Sequence, residues 1–214
     1  VLVDAIDLRG VKANTGNLIE GMEIKGTLGK LYAKADRIDL GKEIARLNKI
    51  DLSDTAITLL MNDTTTNKDT TSTAVNWKLM LDQIDLDRVA FAMQIPGDSL
   101  RLSTYIDKAG LTDGIVDLGS ARYSASQFLL SGSSLSYDGS YSDPAPGFDP
   151  AHIALNDVNI RIDSLLYGGR DISARIKKFS ANDRSGLTLS SLTGDISSDS
   201  TTIQVPGLLL KTPY

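Results

Sequence analysis

The sequence predicts an all-β fold: a repeat-built, elongated and curled sheet, groove-like or solenoid-like, with little or no helix. Three observations predict it. Of the 27 acidic residues, 24 are Asp and only 3 are Glu, and Asp favours turns and caps where Glu favours helix interiors. Apolar residues alternate with period two over strand-length stretches, and no long segment carries the helical period. Ser, Thr and 18 Gly separate those stretches, as turns between strands require.

One short unit recurs: an aliphatic residue, Asp, Leu, about two polar residues, then alternation. It stands at Ile50-Asp51-Leu52, Ile84-Asp85-Leu86 and Val116-Asp117-Leu118, with a weaker copy at Ile153-Ala154-Leu155 and upstream copies at Ile6-Asp7-Leu8 and Ile38-Asp39-Leu40. The leucines at 52, 86, 118 and 155 lie 34, 32 and 37 residues apart, which predicts equivalent sites in successive layers. Within each unit the aliphatic residue and Leu share one strand face and Asp points the other way. After Leu the apolar set resumes three residues on, as from Leu86 to Val89. A strict strand would reverse the face there, so a bulge or two-residue corner is predicted at Ser53-Asp54, Asp87-Arg88, Gly119-Ser120 and Asn156-Asp157.

Further strands are expected around Trp77–Leu81, Leu100–Ile106, Leu135–Tyr137, Leu187–Leu189 and Ile203–Val205. A short helical turn is expected at Tyr105–Leu111. Gly168-Gly169-Arg170-Asp171 reads as a hairpin turn, since a phosphate loop would need a following helix. Two polar insertions interrupt the pattern: the Thr-rich Asn62–Thr73 and the Pro-rich Asp138–Pro150. The repeat continues through both, so residues 1-214 read as a single elongated segment of a larger protein.

Composition excludes several functions. Net charge is -5 and the basic residues are scattered, without the basic patch and stacking aromatics of a nucleic-acid surface. There is no cysteine, hence no disulfide, thiolate metal site or cysteine nucleophile. The one histidine, His152, lacks a nucleophile elbow and reads as an exposed or partly packed strand-edge residue. The recurring Asp7, Asp39, Asp51, Asp85 and Asp117 invite comparison with calcium β-rolls or polysaccharide-cleaving β-helices. The first needs a glycine-dense nonapeptide and the second paired carboxylates. Alternation alone places these residues on the wet face. No catalytic residue, cofactor site or metal site is expected.

The segment Leu31 to Met61 (LYAKADRIDLGKEIARLNKIDLSDTAITLLM), with Leu81 to Ile95 and Ile153 to Leu165, resembles the TamB and wider AsmA-like family in its Bacteroidetes form. The resemblance implies a long periplasmic parent protein, anchored in the inner membrane. It implies a taco-shaped curled sheet whose apolar inner surface carries phospholipid between inner and outer membranes, or assists outer-membrane biogenesis. The implied partners are phospholipid acyl chains, neighbouring segments of the same protein and an outer-membrane barrel protein. The chain departs from the family in its two polar insertions and in Ala154, which stands where the unit has Asp.

Each strand has one apolar face, and no amphipathic helix exists to cover it. The sheet must curl on itself, pair with another copy or hold an apolar ligand. The candidate groove residues are Ile50, Leu52, Ile57, Leu59, Ile84, Leu86, Val89, Phe91, Met93, Ile95, Val116, Leu118, Tyr123, Leu155, Val158, Ile160 and Ile162. The alternatives are an extracellular β-solenoid binding glycan or protein, which calls for more aromatic surface than 6% provides, and a polysaccharide-active β-helix, which calls for paired acid and base residues.

Overall fold

The structure, a computed structural model, describes residues 4–16, 21–61, 76–169, 171–199 and 201–213. It is all-β. Eleven strands form one open, curled sheet: β1 (Ala5–Asn14), β2 (Met22–Asp39), β3 (Ile44–Met61), β4 (Lys78–Ile95), β5 (Leu100–Asp117), β6 (Arg122–Asp138), β7 (His152–Gly168), β8 (Asp171–Asp183), β9 (Thr188–Ser198), β10 (Ile203–Gln204) and β11 (Leu209–Lys211). The first ten are hydrogen-bonded in chain order, and β11 returns to pair with β9. The only helix among the described residues is a 3₁₀ turn at Pro96–Asp98. The helical turn expected at Tyr105–Leu111 is instead the middle of β5, where apolar Ala109 and Leu111 pair with strands on both sides and Ile106 pairs with Val89 of β4.

All neighbours are antiparallel except β3 and β4, which run parallel with Ile50 beside Ile84, Asp51 beside Asp85 and Leu52 beside Leu86. The 34-residue spacing of the leucines is thus a real stacking distance at this one place. From there an unbroken ladder crosses the sheet: Leu8, Leu31, Leu52, Leu86, Ala109, Leu130, Ile160, Phe179, Leu192 and Leu210 are successive partners.

Leu118 and Leu155 do not join that row, which corrects the four-layer expectation. Val116-Asp117-Leu118 ends β5, and its Gly119-Ser120 lies in a hairpin turn. There Asp117 Oδ1 accepts the Ser120 N–H at 3.0 Å. Ile38-Asp39-Leu40 does the same at the end of β2, with Asp39 Oδ1 accepting the Lys42 N–H at 3.1 Å. In both copies a Gly follows Leu and the chain turns. Leu155 sits on β7, which runs antiparallel to β4, and pairs with Leu135 in a different row.

The other three predicted corners are present. Asp54, Arg88 and Asp157 have left-handed backbone, with φ of 52°, 53° and 50°. They align across the sheet with Gly10 on β1 and Gly132 on β6, both at positive φ. A second crease, marked by Asp113 and Ser164 at φ 50° and 59°, runs beside it. An 18-residue strand drawn straight would span roughly 60 Å, so these two bends give the sheet its curl. Buried residues follow the creases: Thr55, Val89, Ser133, Val158 and Ala181 along the first, and Leu81, Gly114 and Ala125 along the second. All lie on the apolar side, so the sheet bends towards that face. The Thr55 and Ser133 hydroxyls donate to the carbonyls two residues back, at 3.0 and 3.1 Å, which satisfies polar groups in the bend.

Candidate functional site: an uncovered apolar face

Parity and the creases together put the sequence-predicted groove residues on one face of the sheet. Leu118 is the exception, since it projects from the hairpin turn after β5. Between the creases run the leucine ladder and a second row, Ile6, Ala33, Ile50, Ile84, Leu111, Phe128, Ile162 and Ile176. Beyond the first crease run Ile57, Phe91, Thr104, Leu135 and Leu155, then Leu59, Met93, Leu102, Tyr137 and Ile153. Beyond the second lie Leu79, Val116, Tyr123 and Tyr167, the two tyrosine rings 5.9 Å apart.

No described element packs across this face. The solvent-accessible surface is 13504 Å², where a compact monomer of this mass would have about 9,600 Å². Most apolar side chains on the face remain partly exposed as a result.

The sequence reading missed half of this surface. Leu111, Phe128, Leu130, Ile176 and Phe179 belong to the same rows, yet Phe128-Leu129-Leu130 reads as a continuous run. The three-residue skip at Ala125–Phe128 that marks the second crease was the available signal.

The polar face carries ion pairs between exposed side chains. Among them are Lys49 with Asp51 at 3.2 Å, Arg46 with Asp82 at 3.4 Å and Arg175 with Asp195 at 3.2 Å. Pairs of this kind contribute at most about 1 kcal/mol each. The recurring Asp residues do not align into one array: Asp51 and Asp85 are neighbours, whereas Asp39 and Asp117 cap turns. No group of three potential ligands that would hold a metal is found among the described residues.

A depression of about 310 Å³ crosses β3 to β7. Its lining takes three consecutive residues from each strand: the row from Ile57 through Phe91 to Leu155, and on either side of it residues such as Ala90, Ala92, Ser103 and Tyr105, which alternation places on the polar face. The flanking apolar rows of Val89 and Met93 take no part, so the depression opens on the polar side.

Beside it the Pro-rich loop folds over the end of the same face. The Tyr141 hydroxyl donates to Pro96 O at 3.0 Å, and the Arg101 guanidinium lies 5.2 Å from the Tyr141 ring centre. His152 is buried beneath the loop at 5% exposure, which corrects its reading as an exposed or partly packed edge residue. Its Nδ1 lies 2.9 Å from Asp138 Oδ1 and its Nε2 lies 3.4 Å from Ser142 Oγ. The Thr-rich insertion Asn62–Thr73 lies outside the described residues.

Comparison with known proteins finds no family model that matches the chain and no curated protein similar to it. No described helix is long and apolar enough to cross a membrane.

Proposed function

We propose that this chain is a periplasmic lipid-handling segment of a TamB/AsmA-like protein anchored in the inner membrane. Its curled apolar face holds phospholipid acyl chains on their way between membranes, or supports outer-membrane biogenesis. The observation that carries the reading is the uncovered face itself: aliphatic rows continuous across the sheet, on the side towards which both creases bend. Each acyl CH₂ buried there contributes about 0.8 kcal/mol, so part of one chain suffices for useful binding. A continuous trough whose rows carry no charged side chain suits a ligand that slides. Neighbouring segments of the same protein and an outer-membrane barrel are the partners at its ends.

The test is cross-linking to a photoreactive phospholipid in vesicles. Phe91→Asp and Leu111→Asp, one on each side of the first crease, are expected to abolish labelling while Asp85→Asn on the polar face leaves it unchanged. Circular dichroism checks that each variant stays β. Equal labelling of all forms, or none of the wild type, would leave structural support as the better account.

A second reading has its own observation. The polar-face depression offers Tyr105 beside Ser103, Ser134, Ser136 and Asn156, a ring with hydroxyls and an amide, the chemistry that receives a sugar. Protection of Tyr105 from chemical modification by added oligosaccharide would favour a glycan-binding module.

A further inference from the structure

The polar face is not uniform. Around the middle of β3 and β4 its long side chains pair with one another: Arg46 and Asn48 with Asp82, Lys49 with Asp51, and Arg88 with Asp54. Between the first crease and the Pro-rich loop that pattern stops. Two rows cross the sheet there. One runs through Ala56, Ala90, Tyr105 and Ser134, the other through Thr58, Ala92, Ser103, Ser136 and Ala154. Apart from Tyr105, no side chain in either row is longer than threonine, and none is charged.

The 310 Å³ depression lies between these two rows. A second depression, of about 180 Å³, adjoins it and shares Ala92, Ser103 and Ser136. Its far border is a third row, Gln94, Arg101 and Asp138. The two make one shallow furrow across five strands, about 19 Å at the usual spacing of strands. Arg101 is held at its border: the guanidinium lies 5.2 Å from the Tyr141 ring centre, and the Tyr141 hydroxyl is fixed to Pro96 O at 3.0 Å. A donor group held in this way loses less freedom when a ligand binds.

The lining sets what the furrow can hold. Tyr105 is 42% exposed, a ring standing among alanines and serines with an apolar face to offer. Among the described residues, the side chains of Ser103, Ser134, Ser136, Gln94 and Asn156 have no hydrogen-bond partner within the chain. A sugar ring has the matching chemistry: C–H groups on its faces, and hydroxyls around its rim that both donate and accept. Charge then decides between sugars. The first depression has no ionised lining group, and the second has one of each sign, Arg101 and Asp138, which are register partners. An acidic sugar drawn to Arg101 would meet Asp138 beside it. Depth decides between linkages. The floor is the sheet itself, so only a chain that lies flat can touch the ring and the floor together. A β-1,4-linked chain, with its substituents in the plane of its rings, does so, and an α-linked coil does not.

We propose, on the glycan reading of the depression, that this furrow binds a neutral β-1,4-linked oligosaccharide lying across β3 to β7. One sugar ring stacks on Tyr105, and its hydroxyls are held by Arg101, Gln94 and the serines. The apolar rows lie on the other side of the sheet, so the site stands whether or not that face carries lipid.

The test is calorimetric titration of the 214-residue chain with cellotetraose, which the wild type is expected to bind. Tyr105→Ala is expected to weaken binding by about 10-fold or more, since it removes the stacking surface. Tyr105→Phe keeps the ring and should stay within about 3-fold of wild type. Arg101→Ala is expected to weaken binding by about 10-fold through its lost hydrogen bonds. Tyr32→Ala, on the same face outside the furrow, should bind as the wild type does, and circular dichroism checks that each variant stays β. Maltotetraose, which is α-linked, and a mannuronate tetramer, which is β-1,4-linked and acidic, are each expected to bind at least about 10-fold more weakly than cellotetraose. Tighter binding of either, lost in Tyr105→Ala, overturns the proposed ligand and leaves the glycan reading of the depression standing. Cellotetraose binding indifferent to Tyr105→Ala overturns the proposed site. A wild type that binds none of the three overturns the proposal and the glycan reading together.

Discussion

Arg88 grips Asp54 across the parallel pair β3–β4, donating from Nε to Oδ1 at 2.7 Å and from Nη2 to Oδ2 at 3.1 Å. The two residues are 34 apart in sequence and occupy the same place in the same crease, both with left-handed backbone. Such a conformation is uncommon for residues with a Cβ, and here a bidentate ion pair holds two of them side by side. Arg88 also donates to its neighbour Asp87 at 2.8 Å. The hydrogen bonds from Arg88 hold the Asp54 carboxyl below its ordinary value, and Asp54 in turn raises the Arg88 guanidinium.

Acid is therefore expected to loosen the crease. A carboxyl whose pKa is lower folded than unfolded contributes stability that is present above its unfolded value and lost as pH falls through the folded one. Asp39, held low by the Arg37 side chain and the Lys42 N–H, and Asp117, held low by the Ser120 N–H, act in the same direction. The urea midpoint should hold steady near neutrality and decline below about pH 4, the ordinary Asp range. In Asp54→Asn that decline should be shallower, because one of the groups that drives it is gone. A parallel decline in the variant would show that the pair contributes nothing in solution.

Gly29 faces the same crease from β2. A Cβ there would come within 2.5 Å of Asp54 O and 2.8 Å of Ser53 O, both rigid backbone atoms. Gly29→Ala is expected to destabilise the chain by about 1–3 kcal/mol through overpacking. Gly110 lies mid-strand on β5 with no atom closer than 3.9 Å to an added Cβ, and Gly110→Ala should be neutral or slightly stabilising. Paired urea melts of the two variants check this.

The parts of this fold that were legible in the sequence are those written in local parity. Leu86 to Val89 skips three residues, and only a corner with an αL residue keeps both on one face, so the corners at Asp54, Arg88 and Asp157 are readable from the chain alone. The same motif could not tell a crease from a hairpin, because that choice rests on the two residues after Leu. Ser53-Asp54 and Asp87-Arg88 bend the strand, whereas Gly41-Lys42 and Gly119-Ser120 let it reverse. The parallel pairing of β3 with β4 was legible only as the 34-residue spacing that sets Leu52 beside Leu86. Ile50 lies beside Ile84, whereas the equally regular spacings of 32 and 37 that follow do not stack, and nothing in the motif tells these cases apart. The burial of His152 depends on where the Pro-rich loop lands, a contact with no periodic signature.

The leucine ladder and the hairpin leucine should behave differently on truncation. Leu86 sits between Leu52 and Ala109 in the middle of the sheet, partly covered, whereas Leu118 is 39% exposed on its turn. Leu86→Ala is expected to cost about 1–2 kcal/mol, at or below the low end for buried leucines because one side of the row is open. Leu118→Ala should fall within about 0.5 kcal/mol of wild type. Comparable losses at the two sites would mean that Leu118 is covered in solution.

Asp138, His152 and Ser142 line up as a carboxylate, an imidazole and a hydroxyl, at 2.9 and 3.4 Å, an order shared with nucleophilic hydrolases. Two details set this group apart from such a site. The Ser142 N–H, the natural donor to a developing oxyanion, is already given to Ser140 Oγ at 3.0 Å, and the two serine hydroxyls are bonded to each other at 2.8 Å. The imidazole is sealed under the loop, with Asp138 on the last residue of β6 and His152 on the first of β7, so the three residues clasp the base of the Pro-rich loop. A fluorophosphonate probe is expected to leave Ser142 unlabelled. His152→Ala should raise backbone hydrogen exchange across residues 139–151 and leave β3 to β5 unchanged, while Ser142→Ala has a smaller effect. Labelling of Ser142 that disappears in His152→Ala would instead make the clasp a catalytic centre.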